Sequence, residues 1–355
     1  MFKLVIFYGG FLSRVGGAFH HAESFKRVQQ ENGQDIKVIT LDDLPFLLKY
    51  LPHCIERLFN YFYLPYGYIA KGLVIKVLFR MLRIRANAFI FEDIYFSWNS
   101  STPSVTVLHA VWSDNLQGKN INNLGMDSLR RWEAKIINAI EHPLITVSEP
   151  YRQYLCAEHF SAWKIRDISV VELGIHGLKK ITELGSTPVS SGKKLIYCGA
   201  LEPRKNVRFL LEVMEALQRD DNAYSLTIVG DGVDRNMLMT QAKMKNLNVE
   251  FLGRLDYEVI PRVLRRHEIY IHTSVKESFS FSLLEAKLTG LKTIAFKNLQ
   301  VPIEFIDVGV ADFKHSSWVA AIQTAQTFPP KASDLMRFDA QNMVSRTLAL
   351  LPPKE

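Results

Sequence analysis

The sequence predicts an α/β protein made of two Rossmann-like, doubly wound domains that face a cleft. Three observations predict it. The 355 residues exceed what one hydrophobic core normally holds. Short β-branched runs alternate with helical patterns along the chain, which is typical of parallel sheets covered by helices. The polar stretch 183–194 interrupts this alternation and reads as a linker. We therefore predict domains at 1–185 and 186–355, and we expect the last helix, about 332–351, to pack back toward the first domain.

Most predicted strands are near-continuous apolar runs, as expected of parallel strands buried on both faces. In the first domain they are 3–9, 35–40, 88–94, 104–110, 143–148 and 168–173, and in the second 194–199, 224–230, 249–253, 268–274 and 292–296. Helices are predicted between them, for example at 206–219 and 258–266. Open α/β sheets bind ligands at the carboxyl ends of their strands, so the loops that follow strands are the candidate sites.

Composition narrows the partners and the compartment. Lys and Arg number 43 against 36 Asp and Glu, so a net charge of +7 should attract phosphates, anionic lipid or nucleic acid. No nucleic-acid-binding motif accompanies this charge, and we expect no nucleic-acid partner. The three cysteines are far apart and supply neither a disulfide framework nor a zinc spacing, which favours a reducing compartment. The start, MFKLVIFYGG, reads as a first strand rather than a signal peptide, so we expect a cytoplasmic protein.

Residues 58–85 combine many aromatic and aliphatic residues with five cations. The longest uncharged run, 58–70, is shorter than the roughly 20 apolar residues that a spanning helix requires. Cations that alternate with apolar residues suit an interfacial helix on an anionic membrane surface. That interpretation places the protein peripherally at the inner face of the plasma membrane. The alternative is a core-facing helix with a basic outer face.

The first predicted strand is followed by GGFLSRVGGAFHHAESF (9–25), in which Gly16 and Gly17 precede a helical pattern. Paired glycines let the backbone approach a ligand, and the N-terminus of the following helix offers unpaired N–H groups to an anion. The spacing differs from GxGxxG and does not indicate a dinucleotide fingerprint. The alternative is a flexible turn.

The second domain opens with YCGALEPRKN (197–206), where Arg204 and Lys205 occupy a short loop between a strand and a helix. Two adjacent cations in such a loop can bind a diphosphate, with Arg as a fork and Lys as a point charge. A solvated basic loop has the same spacing, so the sequence leaves both interpretations open.

The stretch ESFSFSLLEAKLTG (277–290) places Glu277 in a loop after a strand and Glu285 within a helix that starts near Ser280. Backbone N–H groups of Ser280, Phe281 and the next two residues would be unpaired at the helix start and could hold phosphate oxygens. The carboxylates would then accept hydrogen bonds from sugar and ribose hydroxyls. The alternative is an amphipathic helix that happens to carry two acids.

Taken together, these stretches resemble a known family. ESFSFSLLEAKLTG resembles the E-x7-E signature of retaining, nucleotide-sugar-dependent glycosyltransferases of the GT-B fold, in particular glycosyltransferase family 4 (group 1). GGAFHHAESF, SVTVLHA and PLITVSEPYRQYL resemble elements of the family's first domain, and CGALEPRKN, IVGDG and VEFLGRL resemble its donor-domain motifs. The resemblance covers roughly residues 3–310 and is strongest from 195 to 290.

The resemblance implies roles for the donor site. Glu285 would bind the ribose hydroxyls, and Glu277 would contact hydroxyls of the donor sugar. Lys205, helped by Arg204, would neutralise the leaving diphosphate. Many members have Arg where this chain has Ala200, so diphosphate binding would depend more on Arg204 and Lys205.

The resemblance also implies that the first domain, 1–185, binds the acceptor and that the second, 186–355, binds the nucleotide-sugar donor. Gly16 and Gly17 would let the first loop close on the diphosphate or acceptor. His109 would sit near the donor sugar and the acceptor oxygen, although a hydrogen-bonded core histidine is the alternative. Gly253 and Arg254 would lie near the nucleobase.

The implied reaction transfers a sugar, with retention of configuration, from a nucleotide-diphosphate sugar to a glycan or lipid-linked acceptor in bacterial-type cell-surface polysaccharide or lipopolysaccharide assembly. The resemblance favours a same-face substitution over double displacement, which would need a carboxylate below the anomeric carbon. No Asp-x-Asp motif occurs, and we expect neither a metal nor another cofactor. The rival interpretations are a GT-B-fold sugar-nucleotide epimerase or phosphorylase and a non-catalytic nucleotide-sugar-binding subunit.

Overall fold

The structure, a computed structural model, describes residues 2–12, 16–62, 64–116, 123–183, 193–327 and 334–352. The chain divides into two compact units, residues 1–176 with 337–355 and residues 177–336. Each unit contains one six-stranded parallel sheet accompanied by helices, which confirms the predicted α/β class with two doubly wound domains. The predicted boundary after residue 185 and most of the predicted linker fall in 184–192, outside the described residues.

The first unit follows the predicted alternation of strands and helices. In chain order its elements are β1 Phe2–Phe7, α1 Gly17–Glu31, β2 Ile36–Ile39, a 3-10 turn Leu41–Asp43, α2 Phe46–Lys49, α3 Leu51–Tyr61, α4 Gly67–Met81, β3 Ala86–Phe91, β4 Ser104–Leu108, α5 Trp112–Asn115, α6 Asn123–Ala139, β5 Leu144–Thr146, α7 Glu149–Tyr154, a π-helical turn Leu155–His159 and β6 Ser169–Val170.

The first sheet has the strand order β2-β1-β3-β4-β5-β6. β1 lies between β2 and β3, with Leu4 opposite Ile36 on one side and Ala88 on the other. The chain places β2 on one side of β1 and β3 to β6 on the other, so strand succession reverses between β1 and β3. The loops that follow these two strands therefore diverge and leave a crevice at the carboxyl edge, which is where such sheets bind ligands.

The second unit repeats the same plan. Its elements are α8 Leu178–Glu183, β7 Lys194–Cys198, a 3-10 turn Pro203–Lys205, α9 Val207–Asp220, β8 Ser225–Val229, α10 Arg235–Met244, β9 Val249–Gly253, α11 Ile260–Leu264, β10 Ile269–His272, α12 Phe281–Leu288, β11 Lys292–Phe296, a 3-10 turn Ile303–Phe305, β12 Val308–Val310 and α13 His315–Ala325. The chain then returns to the first unit with a 3-10 turn Met336–Phe338 and α14 Ala340–Ala349, where Arg346 donates a hydrogen bond to the Val170 carbonyl at 3.0 Å.

The second sheet has the strand order β12-β11-β10-β7-β8-β9. β10 and β7 are neighbours, with Ile269 opposite Leu195, and strand succession reverses between them. The loops after β7 and β10 are therefore the expected ligand site of this sheet.

Each sheet is held by its own hydrophobic core. The first core joins Val5 and Phe7 of β1 to Phe79 of α4, and the second joins Tyr197 of β7 to Trp318 of α13. All five of these side chains are almost completely buried. Strands with apolar side chains on both faces need a covering layer on each face, which explains why the helices form around the two sheets.

Two features differ from the sequence prediction. The three-residue strand β12 was not predicted, because Val-Gly-Val is too short to show a strand pattern. The basic aromatic segment 58–85 does not form one continuous helix. It contains the end of α3, a connection and α4, and Ile75, Leu78 and Phe79 of α4 are buried in the first core.

Candidate functional site

The loops after β7 and β10 meet through one ion pair. Lys205 Nζ donates to Glu277 Oε1 in a close contact, with 12% and 10% of the two side chains exposed. Two further hydrogen bonds join the loops: Thr273 Oγ1 donates to the Lys205 carbonyl at 3.0 Å, and the Val275 N–H donates to the Arg204 carbonyl at 3.3 Å. The structure therefore brings together Glu277 and Lys205 at the reversal of strand order.

A histidine that the sequence left unassigned completes this cluster. His272 ends β10, is almost completely buried, and places Nε2 3.1 Å from Glu277 Oε1. Burial opposes ionisation of Glu277, but the Lys205 ammonium and then the His272 ring outweigh it and hold the pKa of Glu277 well below its usual range. Burial also lowers the pKa of His272, against the effect of Glu277. Glu277 is therefore a carboxylate at neutral pH.

Helix α12 begins beside Glu277, as predicted. Its N-cap Ser280 has a left-handed backbone (φ 72°), and its hydroxyl accepts a hydrogen bond from the Leu283 N–H at 3.4 Å. The expectation that this N–H is unpaired is thus wrong, because the serine side chain caps it. Phe281 opens the helix and packs edge-on against Phe279, which in turn contacts Phe305.

Glu285 lies on the second turn of α12 and is buried. Burial raises the pKa of Glu285 to about 8, although a hydrogen bond from Tyr257 opposes the rise. A carboxyl group in this state can both donate and accept a hydrogen bond, which suits a pair of neighbouring hydroxyls.

The other predicted donor-site residues are more exposed. Arg204 is 46% exposed and pairs with Glu202 at 2.7 Å, so it is turned toward a neighbouring acid. Gly253 ends β9 with φ +69°, a conformation that favours glycine, and its carbonyl accepts the Gly230 N–H at 2.8 Å. Arg254 follows it as an exposed residue.

In the first unit, Gly16 and Gly17 stand at the start of α1 and line a cavity of about 270 Å³. A Cβ added to either glycine would meet no described atom within 4 Å, and neither has a positive φ. The protein atoms that the structure describes therefore give no steric reason for glycine here. Residues 13–15 of the same loop lie outside the described residues.

His109 follows β4 and is 16% exposed at its side chain. Its Nε2 lies 2.7 Å from Glu92 Oε2, and His21 Nδ1 lies 2.8 Å from Glu92 Oε1. Burial would raise the pKa of Glu92, but the two histidines lower it to about 2. Burial also lowers the pKa of His109. His109 is thus a largely buried residue that is hydrogen-bonded to Glu92, and Glu92 lines the cavity.

These three side chains are also the one group of potential metal ligands found among the described residues, with all ligand atoms within 4.8 Å of one another. Two histidines and a carboxylate suit several divalent metals. In this structure Glu92 instead bridges the two rings by hydrogen bonds.

Sequence reasoning missed His21, Glu92 and His272. Glu92 and His272 both stand at the carboxyl end of a strand, and that position was the available signal. Their partners are distant in sequence, however: His21 and Glu92 are separated by 71 positions. No local pattern could show that they meet.

The second unit resembles a known protein family in sequence. Residues 185–326 match the family model described as glycosyl transferases group 1. This stretch of the second unit is similar to that family. Lys205, Glu277 and Glu285 all lie within the matched residues.

Two curated relatives extend the likeness beyond the second unit. The chain is 26% identical over 212 residues to an uncharacterized 41.2 kDa protein in the cps region of Klebsiella pneumoniae, covering 56% of this chain and 57% of that protein. The match thus spans less than two thirds of that relative. It is 24% identical over 326 residues to an uncharacterized glycosyltransferase of Methanocaldococcus jannaschii, covering 82% of this chain and 80% of that one.

Two solved structures share the fold of this chain. Sucrose-phosphate synthase from Thermosynechococcus elongatus matches with a TM-score of 0.69 and 16% identity, covering 99% of this chain and 95% of the other. Anabaena HepE, solved in complex with UDP and glucose, matches with a TM-score of 0.64 and 15% identity, covering 98% and 99%. These likenesses confirm the predicted GT-B fold.

Proposed function

We propose that this protein transfers a sugar from a nucleotide-diphosphate sugar to a glycan or lipid-linked acceptor, with retention of anomeric configuration. The observation that carries the proposal is the Lys205–Glu277 pair at the reversal of the second sheet, beside the helix that bears buried Glu285. The group 1 family model and the Methanocaldococcus relative support glycosyl transfer. The UDP and glucose in the similar Anabaena structure support a nucleotide-sugar donor.

In the proposed reaction Lys205 stabilises the negative charge that develops on the departing diphosphate. Such a preorganised cation acts where charge appears in the transition state, in a site with little water. Glu277 holds the ammonium in place and offers its second oxygen to a donor-sugar hydroxyl. A same-face substitution then needs no enzyme nucleophile: the acceptor hydroxyl attacks the anomeric carbon and gives its proton to the leaving phosphate oxygen.

We propose that the reaction requires no metal ion. Lys205, Arg204 and the N-terminus of α12 provide positive charge of the kind that metal ions supply in other phosphate sites. Turnover should therefore persist in excess EDTA, whereas a loss that Mg²⁺ or Mn²⁺ restores would contradict this part of the proposal.

Membrane contact forms a further part of the proposal, and the surface of α2 and α3 supports it. Phe46, Leu47, Tyr61 and Phe62 expose 71%, 84%, 77% and 61% of their surface. Lys49 Nζ lies 5.5 Å from the centre of the Phe46 ring, so a cation sits among these side chains. Aromatic side chains with interspersed cations suit the headgroup region of an anionic membrane.

The outer face of α4 continues this character. Leu73, Val77 and Met81 are exposed there, and Arg80 lies among them. Among the described helices, none combines the length and apolar character needed to cross a bilayer. We therefore propose peripheral attachment at the inner face of the plasma membrane. The Klebsiella relative in a cps region supports a role in cell-surface polysaccharide or lipopolysaccharide assembly.

Vesicle co-sedimentation tests the membrane part with a matched pair of variants. Leu47→Glu should lower binding to vesicles that contain phosphatidylglycerol severalfold, because it places an acid against an anionic surface. Val233→Glu is the control, since Val233 is equally exposed at 84% but lies in the second unit. Wild-type binding that is indifferent to anionic lipid would contradict this part.

Thermal-shift screening against UDP-, GDP-, ADP- and dTDP-sugars tests the donor. A ligand that binds only the folded state raises the unfolding temperature by mass action. One nucleotide class should stabilise the wild type, and Lys205→Met should reduce that shift. Stabilisation without release of nucleoside diphosphate in the presence of acceptor would favour the non-catalytic binding subunit instead.

A further inference from the structure

The cavity of the first unit lies at the reversal of its sheet. Its wall includes Tyr8, Gly9 and Gly10, which follow β1, and Glu92 and Asp93, which follow β3. Helix α4 and the start of α1 close other sides. The two strands are those between which strand succession reverses, so the cavity occupies the position where such sheets bind ligands.

The size of the cavity limits its occupant. A volume of about 270 Å³ lies just below the range of roughly 300 to 1,000 Å³ that is typical of sites for drug-sized ligands. One six-membered ring with its substituents fits such a space, and an oligosaccharide does not. The aromatic rings of Tyr8, Tyr68, Tyr95 and Phe96 line it, and flat apolar faces of this kind suit the C–H face of a pyranose.

Asp93 supplies the polar group that would orient such a ring. One of its oxygens accepts the Tyr68 hydroxyl at 3.2 Å, and the other accepts the Tyr95 N–H at 3.4 Å. The Ile94 N–H is a third donor to this carboxyl group. A carboxylate has about four lone-pair positions, and the bonds from Tyr68 and Tyr95 are long, so capacity for a ligand hydroxyl remains. The Tyr68 ring is itself fixed by stacking on Trp112 at 4.7 Å.

The charges around the cavity disfavour an anionic ligand. Lys71 contributes an ammonium, but Glu56 pairs with it at 2.8 Å. Glu92 and Asp93 add two acids to the wall. Apart from the tyrosines, the other titratable side chain that lines the cavity is His53. Burial raises the pKa of Asp93 to about 7, because its surroundings disfavour negative charge. The same surroundings would disfavour an anionic ligand beside Asp93.

We propose that this cavity binds one uncharged, hydroxyl-rich sugar ring of the acceptor, with Asp93 and Tyr68 bonding its hydroxyls. The inference rests on the proposed function, which it extends by naming the class of acceptor residue. It assigns Asp93 and Tyr68 as acceptor-binding residues and excludes uronic acids and sugar phosphates from this position.

Saturation-transfer NMR on the full chain without any nucleotide tests the cavity directly. The probes are glucose, galactose, mannose and N-acetylglucosamine, with glucuronate and glucose 1-phosphate as anionic counterparts. At least one neutral sugar should bind saturably with a Kd on the order of 1 to 10 mM. Asp93→Ala and Tyr68→Phe should each weaken it by about three- to tenfold, as expected for a lost hydrogen bond.

Asp127→Asn is the matched control, since Asp127 is 60% exposed at its side chain and lies outside the cavity wall, and it should leave sugar binding unchanged. Tyr68→Phe removes only a hydroxyl and keeps the test valid if Asp93→Ala does not fold. Three results would each overturn the proposal. They are no saturable binding of any neutral sugar, binding by both cavity variants as tight as by the wild type, and tighter binding of glucuronate than of the neutral sugars.

Nucleotide-sugar binding separates this outcome from the proposed function. Asp93→Ala should retain the thermal shift caused by the nucleotide sugar, because Asp93 belongs to the first unit and the donor residues to the second. Loss of sugar binding with retained nucleotide binding supports the cavity assignment. Retained sugar binding without any nucleotide-sugar binding would refute the proposed function and leave the cavity as a sugar site.

Discussion

Lys205 and Glu277 form an ion pair although 72 positions separate them in the sequence. Each stands in a loop that follows one of the two strands, β7 and β10, between which strand succession reverses. Their side chains are nearly buried, so each charge depends on the other for compensation. When the donor binds, its diphosphate would be a second anion close to Lys205, so the ammonium would interact with both Glu277 and the donor.

Lys205 should therefore matter most for turnover. Lys205→Met should lower kcat by about 100-fold or more, the cost of removing one preorganised group from a developing anion. Arg204→Met is the control within the same loop and should cost less, because Arg204 is 46% exposed and paired with Glu202. Steady-state release of nucleoside diphosphate measures both. Wild-type turnover in Lys205→Met would refute the diphosphate assignment.

The same pair should show strong coupling in stability. Lys205→Met and Glu277→Gln should each destabilise the second unit, by up to about 3 kcal/mol, because each leaves one nearly buried polar partner uncompensated. The double variant should lose less than the sum, with a coupling energy of about 1 to 3 kcal/mol. Urea unfolding measures the cycle. The Arg208–Glu212 pair, whose side chains are 69% and 30% exposed, is the control and should couple by less than about 1 kcal/mol. If the losses of stability in the two single variants simply add in the double variant, Lys205 and Glu277 do not stabilise each other, and the prediction is contradicted.

His272 should position Glu277 rather than contact the donor. His272→Phe removes the 3.1 Å hydrogen bond and should lower kcat/KM by about tenfold, as expected for a lost bond to a charged group. The distinguishing measurement is the acidic limb of the pH–rate profile, which should move to higher pH because the ring helps to keep the pKa of Glu277 low. Tyr270→Phe, which retains the His272–Glu277 contact, should leave that limb in place. An unchanged limb in His272→Phe would assign His272 a purely structural role.

Sequence patterns predicted the sheets well because most strands are continuous apolar runs bounded by turns. They also predicted that α12 starts near Ser280, which is its N-cap. What they could not show was pairing across the sheet. Glu92 is an ordinary acid after a strand until the fold brings His21 and His109 to it. The left-handed backbone of Ser280 and its cap on Leu283 likewise depend on the surrounding loop.

A variant of Gly17 tests whether a ligand lies directly against the backbone at the start of α1. Gly17→Ala should leave the unfolding temperature unchanged, since the new methyl group meets no described atom within 4 Å, yet lower kcat/KM by about tenfold if a ligand lies against the backbone. Differential scanning fluorimetry and kinetics measure the two effects. Gly72→Ala is the contrast, because its Cβ would lie 2.3 Å from Tyr95 Cβ and should lower stability. Full activity in Gly17→Ala would indicate a simple turn.

Glu285 should make stability depend on pH. Its pKa is raised from 4.5 to about 8 in the folded protein, so its contribution is full below pH 4.5 and is lost as pH rises through 8. Between these values stability should fall by about 1.4 kcal/mol per pH unit from this group. Urea unfolding from pH 5 to 9 measures the slope, and Glu285→Gln should remove it. Glu215→Gln is the control, because Lys245 and Arg219 lower the pKa of Glu215 and it gives no loss in this range. An identical slope in Glu285→Gln would contradict the assignment.

The most direct test of the proposed function is NMR of the sugar released or transferred from the donor. The purified protein is incubated with the nucleotide sugar that stabilises it, and the anomeric proton of the product is followed from the first turnover. We predict release of nucleoside diphosphate and a product with the same anomeric configuration as the donor, both reduced in Lys205→Met. An inverted anomer, or an intact donor in the presence of every acceptor sugar that binds, would contradict retaining glycosyl transfer.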